Sequence, residues 1–272
     1  MGMSVNTNVG AMAALQSLNS TNKGLATVQN RINSGMNVAS TKDDSASFSI
    51  AQTLRGDLGN LKSVSSSLSR AKSTTDVAVA GAEQISDLVN QMSAKALEAS
   101  DAGVTTESRA AIIKDFDGLK EQINTIIDSS SFNGINLLKN GGGSVSALQS
   151  TDTAAATLDV ANLDFTAVVT GIGTTFTDAA TAKTMVDTLK TQSDAIKGKL
   201  STLGSASRKI DGQSSFVSKL SDSIEGGIGN LVDADLAKES AKLQALQVKQ
   251  QLGVQALSIA NQAPQTVMSL FR

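Results

Sequence analysis

From Leu54 an apolar or small residue recurs at every seventh position, through Leu61, Leu68, Thr75, Ala82, Val89 and Ala96. A second stripe follows three residues behind from Val64 on, through Ala71, Ala78, Ile85, Met92 and Ala99. Six consecutive heptads of this kind predict one long helix with a narrow seam, far beyond the ~11 residues of an average globular helix. The spacing returns late in the chain at Leu189, Ile196, Leu203, Ile210, Val217 and Ile224. Between the two, "TESRAAIIKDFDGLKEQINTIID" places Ile112, Phe116, Leu119, Ile123 and Ile126 on one face, with Thr106 as the expected N-cap. Three rods that each present a seam should pack together. The expected fold is mainly α, a long coiled-coil-like helical bundle.

Composition says what fills the bundle. Hydrophobic residues make up 40% of the chain but aromatics only 3%, with 7 Phe and no Trp or Tyr, so the core has to be built from small aliphatic side chains. That suits closely spaced helices. The absence of His and Cys removes the imidazole base, the thiolate nucleophile and the usual zinc site, and no catalytic, cofactor or metal residues are assigned. Carboxylates, Lys and Ser remain, so this composition disfavours an enzyme without excluding one. The 23 basic and 25 acidic residues nearly cancel, which argues against an electrostatic nucleic-acid binder and permits self-association. No apolar run reaches the ~18 residues of a membrane span, and no basic residue precedes Lys23. Neither membrane insertion nor a cleaved signal peptide is expected.

The middle of the chain changes character. From Ser144 to about Thr181 it is rich in Ser, Thr, Ala and Gly, and "LDVANLDF" and "FTAVVT" read as small strands and turns. A small β-hairpin region over about 140–181 is expected between outgoing and returning helices. Gly171 and Gly173 complete no phosphate-binding loop. Further on, Gly226, Gly227 and Gly229 are expected to break the last long rod from the terminal helix.

Both ends carry shorter heptads. Leu18, Leu25 and Ile32 with Val28 form one, and Leu236, Leu243 and Leu257 with Leu246 the other. Such segments are marginal alone and each needs a partner helix, from its own chain or another. After Pro264, the only proline, come Val267, Met268, Leu270 and Phe271, an apolar cluster that calls for a cover. The adjacent carboxylates of Lys42-Asp43-Asp44 suggest acid/base or metal chemistry on paper. Neighbouring residues diverge, however, and Asp44 or Ser45 sits where the next helix wants its N-cap.

Three stretches resemble bacterial flagellins: "RINSGMNVASTKDDSASFSIAQTLR", "SSSFNGINLL", and "LVDADLAKESAKLQALQVKQQLGVQALSIANQAPQTVMSLFR" at the C-terminus. The centre matches nothing in particular, so the resemblance implies a short form lacking the outer variable domains. It implies that residues 1–43 and 229–272 are the two halves of an inner filament core and 44–228 the outer bundle. The implied filament-core contacts are Leu18, Leu25, Val28, Ile32, Leu243, Leu246, Leu257, Val267, Leu270 and Phe271, with Lys42, Asp43 and Asp44 as an inter-domain spoke or cap. The implied function is that of a self-assembling, non-enzymatic subunit of an extracellular swimming filament. Implied partners are copies of itself or related flagellins, the flagellar type III export apparatus, an export chaperone, and hook-associated and cap proteins. Flagellins with an inserted protease need a His-containing zinc motif, and this chain has no His. Two alternatives share some of these features: a hook–filament junction protein, and a monomeric secreted coiled-coil adhesin or immune-modulating protein. The ending "ANQAPQTVMSLFR" favours the filament.

The chain departs from the family at one place. Many flagellins carry a glutamine-arginine-valine-arginine-glutamate-leucine stretch where a Toll-like receptor docks. Aligned through "EQISDLV" and "ALEAS", this chain has Asn90, Gln91, Met92, Ser93, Ala94 and Lys95 instead. The resemblance therefore implies weakened recognition by that receptor.

Overall fold

Helix follows helix along the chain in a computed structural model, which describes residues 7–152, 156–173 and 176–268, the last six of these by backbone alone. The elements are α1 (Val9–Ser34), α2 (Ser45–Ala99), α3 (Thr106–Ser129), β1 (Val145–Ala147), β2 (Leu158–Val160), α4 (Thr166–Ile172), α5 (Ala179–Val232) and α6 (Leu236–Met268). They form two compact units, residues 57–222 in one and residues 1–56 with 223–272 in the other.

In the unit of residues 57–222 the heptad stripes are the core. Every stripe residue of α2 from Leu61 to Ala99 is buried, and so are Leu189, Ile196, Leu203, Ile210 and Val217 of α5. The one hydroxyl in the stripe, that of Thr75, donates to the Ala71 carbonyl at 2.8 Å and so needs no partner across the seam. On α3 the buried residues are Ile112, Phe116, Ile123 and Ile127, so Ile127 takes the inward place expected of Ile126. The cap is Thr105 rather than Thr106. Thr105 has the extended backbone of an N-cap and its hydroxyl accepts the Ser108 N–H at 3.2 Å, whereas Thr106 is already helical.

The middle region pairs β1 with β2 antiparallel, Val145 opposite Val160 and Ala147 opposite Leu158. "FTAVVT" is not a strand. It belongs to α4, because Phe165, Val168, Val169 and Ile172 repeat at three and four residues and all four are buried, a helical period that outweighs β-branched propensity. Buried Asn136 ties the region together, donating to the Ile127 carbonyl at 2.6 Å and accepting from the Leu138 and Lys139 N–H groups.

Of the three glycines on α2, Gly56, Gly59 and Gly81, only Gly81 is closely packed. A Cβ there would lie 2.4 Å from Ser130 Oγ and 2.9 Å from a Leu138 methyl, and both neighbours are buried. Alanine gains up to ~1 kcal/mol of helix propensity, but overpacking of this kind costs ~1–3 kcal/mol. Gly81→Ala is therefore expected to lower the stability of this unit, read as a fall in the midpoint of urea unfolding; a rise would show that Ser130 and Leu138 relax freely.

In the other unit α1 and α6 run antiparallel. Asn8 faces Ala260, Leu18 faces Gly253, Asn22 faces Gln250, Gly24 faces Leu246 and Arg31 faces Glu239. The terminal heptads thus find their partner within the chain. Gly35, at φ 70, ends α1 in the left-handed conformation that glycine adopts without penalty. Its carbonyl accepts from Ala234, and the Val232 carbonyl accepts from Asn37 at 2.7 Å. A small core of Val38, Ala51, Ile228 and Val232 is surrounded by Phe48, Leu54, Ile224 and Leu231.

The glycines of "EGGIGNL" do not break α5, which continues through Gly226, Gly227 and Gly229 to Val232. Each glycine costs ~1 kcal/mol against alanine, but burial of Ile228 and Val232 holds the helix. The break falls instead at residues 233–235, where Asp235 accepts from the Ala237 and Lys238 N–H groups and starts α6.

Candidate assembly surface

At 100° per residue, Leu243, Leu246, Gln250, Gly253 and Leu257 fall on one side of α6, the side on which Leu246 meets Gly24, Gln250 meets Asn22 and Gly253 meets Leu18 of α1. Leu18, Leu25, Val28 and Ile32 lie on the matching side of α1; Val28 is buried, and the other three, with Leu243, Leu246 and Leu257, are half-buried. The opposite side of α6 carries a second apolar stripe of Val248, Leu252 and Ile259, 55%, 58% and 69% exposed. On α1, Val9, Met12 and Leu15 form a stripe pointing away from the seam, also exposed. Each helix therefore has two apolar sides and only one is covered. Beside the seam, Ala13, Gln16, Ser17, Ser20, Leu252 and Ala256 line an open groove of about 700 Å³. The side chain of Val267, and Leu270 and Phe271 altogether, lie outside the described residues.

At the base of the hairpin, Arg31 approaches Glu239 at 3.7 Å, and Lys242 donates to the same Glu239 oxygen at 2.6 Å. Glu239 is only 5% exposed, and its second oxygen and the Arg31 Nε are buried without a hydrogen-bond partner in the chain. Such a pair adds little net stability, since desolvation offsets attraction, but it penalises any register that separates the charges. Nothing in the spacing of either heptad singles out these two residues; the antiparallel pairing brings them together.

Asp43 and Asp44 turn away from each other. Asp43 reaches back, accepting from the Ala39 and Ser40 N–H groups and the Ser40 hydroxyl at 3.0–3.1 Å. Asp44 reaches forward to the Ala46 and Ser47 N–H groups at 2.9 and 3.2 Å and to the Ser47 hydroxyl, capping α2. Lys42 is exposed, and its backbone N–H bonds the Ser40 hydroxyl. The hydrogen bonds from Ser40 and Ser47 respectively hold both carboxyls below the ordinary value of 3.8. A carboxyl depressed on folding contributes stability above its unfolded value and loses it as pH falls through the folded one. The loop of residues 39–47 is thus expected to loosen only in acid below that value, with both side-chain titration midpoints there by NMR. Asp44→Asn keeps the cap acceptor and is expected to remove the Asp44 share of this dependence.

On α2 the stretch from Asn90 to Lys95 presents two sides. Met92 is buried within the seam; Asn90, Gln91 and Ala94 are exposed, and Ser93 and Lys95 half-buried. Lys95 pairs with Glu98 and with Asp115 of α3, both at 3.4 Å. Gln91, Ala94 and Lys95 line one side of a cleft of about 530 Å³, with Lys114, Asp115 and Leu119 opposite. Among the described residues no acidic cluster could hold a metal ion, and no helix is long and apolar enough to cross a membrane.

Residues 5–142 match the family description "Bacterial flagellin N-terminal helical region", and residues 184–271 match "Bacterial flagellin C-terminal helical region". The chain is 46% identical to flagellin FljK of Caulobacter vibrioides over 269 residues, covering 99% of this chain and 98% of that one. It is 36% identical to a flagellin of Brucella melitensis, with 99% of each chain covered. Among solved structures it resembles Bacillus cereus flagellin, with a TM-score of 0.51 and 24% identity over 54% of this chain and 86% of that one, a likeness of fold.

Proposed function

Because this chain belongs to the bacterial flagellin family, we propose that it is the structural subunit of a flagellar filament and assembles with copies of itself into a helical tube for swimming. The carrying observation is the second apolar stripe on each terminal helix, exposed in the single chain and requiring a cover. Burying apolar surface contributes ~25 cal/mol per Å², so three such side chains on α6 contribute several kcal/mol per subunit, repeated at every subunit of a polymer. The full-length match to flagellins supports this reading over a hook–filament junction protein. The test is elongation of purified filament seeds by the monomer. A chain ending before Ala260 should keep the unit of residues 57–222 folded and fail to elongate; normal filaments from it would reject the proposal.

The finer reading extends the same logic. Residues 1–43 and 229–272 form the inner layer of the tube, with Val267, Leu270 and Phe271 joining the contacts of α1 and α6, and residues 44–228 form the outer layer. Asp43 and Asp44 stiffen the passage between the layers. The chain has no enzymatic role. It leaves the cell unfolded through the flagellar type III apparatus, with an export chaperone on its C-terminal helix, and works outside among hook-associated and cap proteins; few large rings and no cysteine suit that passage.

The stretch at Asn90–Lys95 makes the monomer a poor agonist of the flagellin-sensing receptor. Interface arginines are frequent hot spots, each worth roughly 2 kcal/mol or more, and the exposed positions here carry none. Gln91→Arg, Ser93→Arg and Ala94→Glu together should restore a reporter-cell response; full potency of the unmodified monomer would overturn this.

A further inference from the structure

We propose that Asn133 is a site of spontaneous backbone rearrangement, converting through a cyclic imide to isoaspartate, while the chain's other Asn-Gly pair is held inert. The chain has two such pairs, Asn133-Gly134 and Asn140-Gly141. Asn133 (φ 51) and Gly134 (φ 81) occupy the two central positions of a tight turn closed by Phe132 and Ile135, which exchange both hydrogen bonds at 2.9 and 3.0 Å. Positive φ at both positions is the primed hairpin turn that Asn-Gly favours. Both residues are exposed, and the Gly134 N–H takes no part in the two bonds that close the turn. Among the described residues the Asn133 side chain makes no hydrogen bond, so amide and nucleophile are free and adjacent.

The Gly134 backbone nitrogen attacks Cγ of Asn133, the N–Cγ bond forms and the Cγ–Nδ2 bond breaks. Ammonia leaves, carrying off the proton that the Gly134 amide loses. Water then opens the five-membered imide at either carbonyl, giving isoaspartate or aspartate. Glycine in the following position, with no Cβ to obstruct the attack, makes the ring easiest to close, and asparagine is known as a thermolabile residue. Each event adds one negative charge, taking the net charge from −2 to −3. Isoaspartate also adds a carbon to the main chain of the turn.

Asn140 has the same neighbour and the opposite environment. Its Nδ2 donates to the Asp164 carboxylate at 3.0 Å and its backbone N–H to the Thr166 hydroxyl at 3.2 Å. The side-chain amide is engaged by that bond, and the carboxylate disfavours the negative charge that develops as the ring closes.

The inference is independent of polymerisation. Purified full-length monomer, aged in warm, mildly alkaline buffer, would be labelled with protein isoaspartyl methyltransferase and mapped by peptide mass spectrometry. Isoaspartate should accumulate several-fold faster at Asn133 than at Asn140, and the difference should vanish in denaturant. Asp164→Gly, tolerated at φ 43, should raise the rate at Asn140 toward that at Asn133. Equal rates in the native chain, or an unchanged Asn140 rate in the Asp164 variant, would overturn the proposal. Filament formation serves as a separate readout, so failure of one reading leaves the other intact.

Discussion

The double substitution Val248→Glu and Leu252→Glu is expected to leave the melting of the single chain almost unchanged and to abolish filament elongation. Both side chains are more than half exposed, Val248 on the side of α6 away from α1 and Leu252 at the rim of the groove beside the seam, so in the monomer the carboxylates stand in water. Surface changes of that kind fall within about 0.5 kcal/mol. On the proposal that this stripe is what the filament covers, the same positions would face a neighbouring copy in the polymer. Two apolar side chains no longer contribute ~1.5–3 kcal/mol each, and a carboxylate buried without a partner costs several kcal/mol more. At 1.4 kcal/mol per factor of ten, the concentration needed for growth should rise by at least ~1,000-fold. Seeded elongation followed by light scattering reads the effect, with Lys238→Ala, an exposed position on α6 outside the groove, as a control on the same helix. Elongation at the normal rate by the double variant would show that this side of α6 faces solvent in the filament.

How far the residues announced this surface depends on the length scale of the signal. The stripes of α2 and α5 were legible because six heptads average out local exceptions, and even Thr75 in the stripe is buried with its hydroxyl turned onto its own helix. The Asp44 cap was legible because capping is local chemistry within three residues. Signals of intermediate range misled. Three glycines read as a break, yet Ile228 and Val232 outweigh their propensity cost, and only the buried contacts made by the folded chain reveal that. "FTAVVT" is too short for its period to distinguish strand from helix until Phe165 and Ile172 are seen buried on one side. The Arg31–Glu239 contact had no signal at all, since it joins two helices from opposite ends of the chain and follows from the antiparallel register alone. The second apolar stripe of α6 was present in the residues but hidden. A helix apolar on both sides shows no contrast, and the covered side is defined only once α1 is seen against it.

Phe116→Ala should be the most damaging single change to the unit of residues 57–222. The ring is 1% exposed and meets Phe176 edge-on, with centroids 5.2 Å apart and planes at 76°. With no Trp or Tyr and only 7 Phe in the chain, few other side chains have the volume to collapse into the space it leaves. Phenylalanine-to-alanine changes in cores cost ~3–5 kcal/mol, and loss of the edge-to-face pair accounts for ~0.5–1.5 kcal/mol of interaction beyond area. At ~2–4 °C per kcal/mol for a unit of this size, the loss of helical circular dichroism should begin about 10 °C lower. Phe116→Leu, which keeps most of the volume, should cost less than half as much. Phe176→Ala and the double variant complete a cycle in which the combined loss falls short of the sum, because the pair can be broken only once. Strict additivity would mean that the two rings are neighbours without coupling, and a midpoint unmoved by Phe116→Ala would mean that the seam of α3 does not hold this unit together.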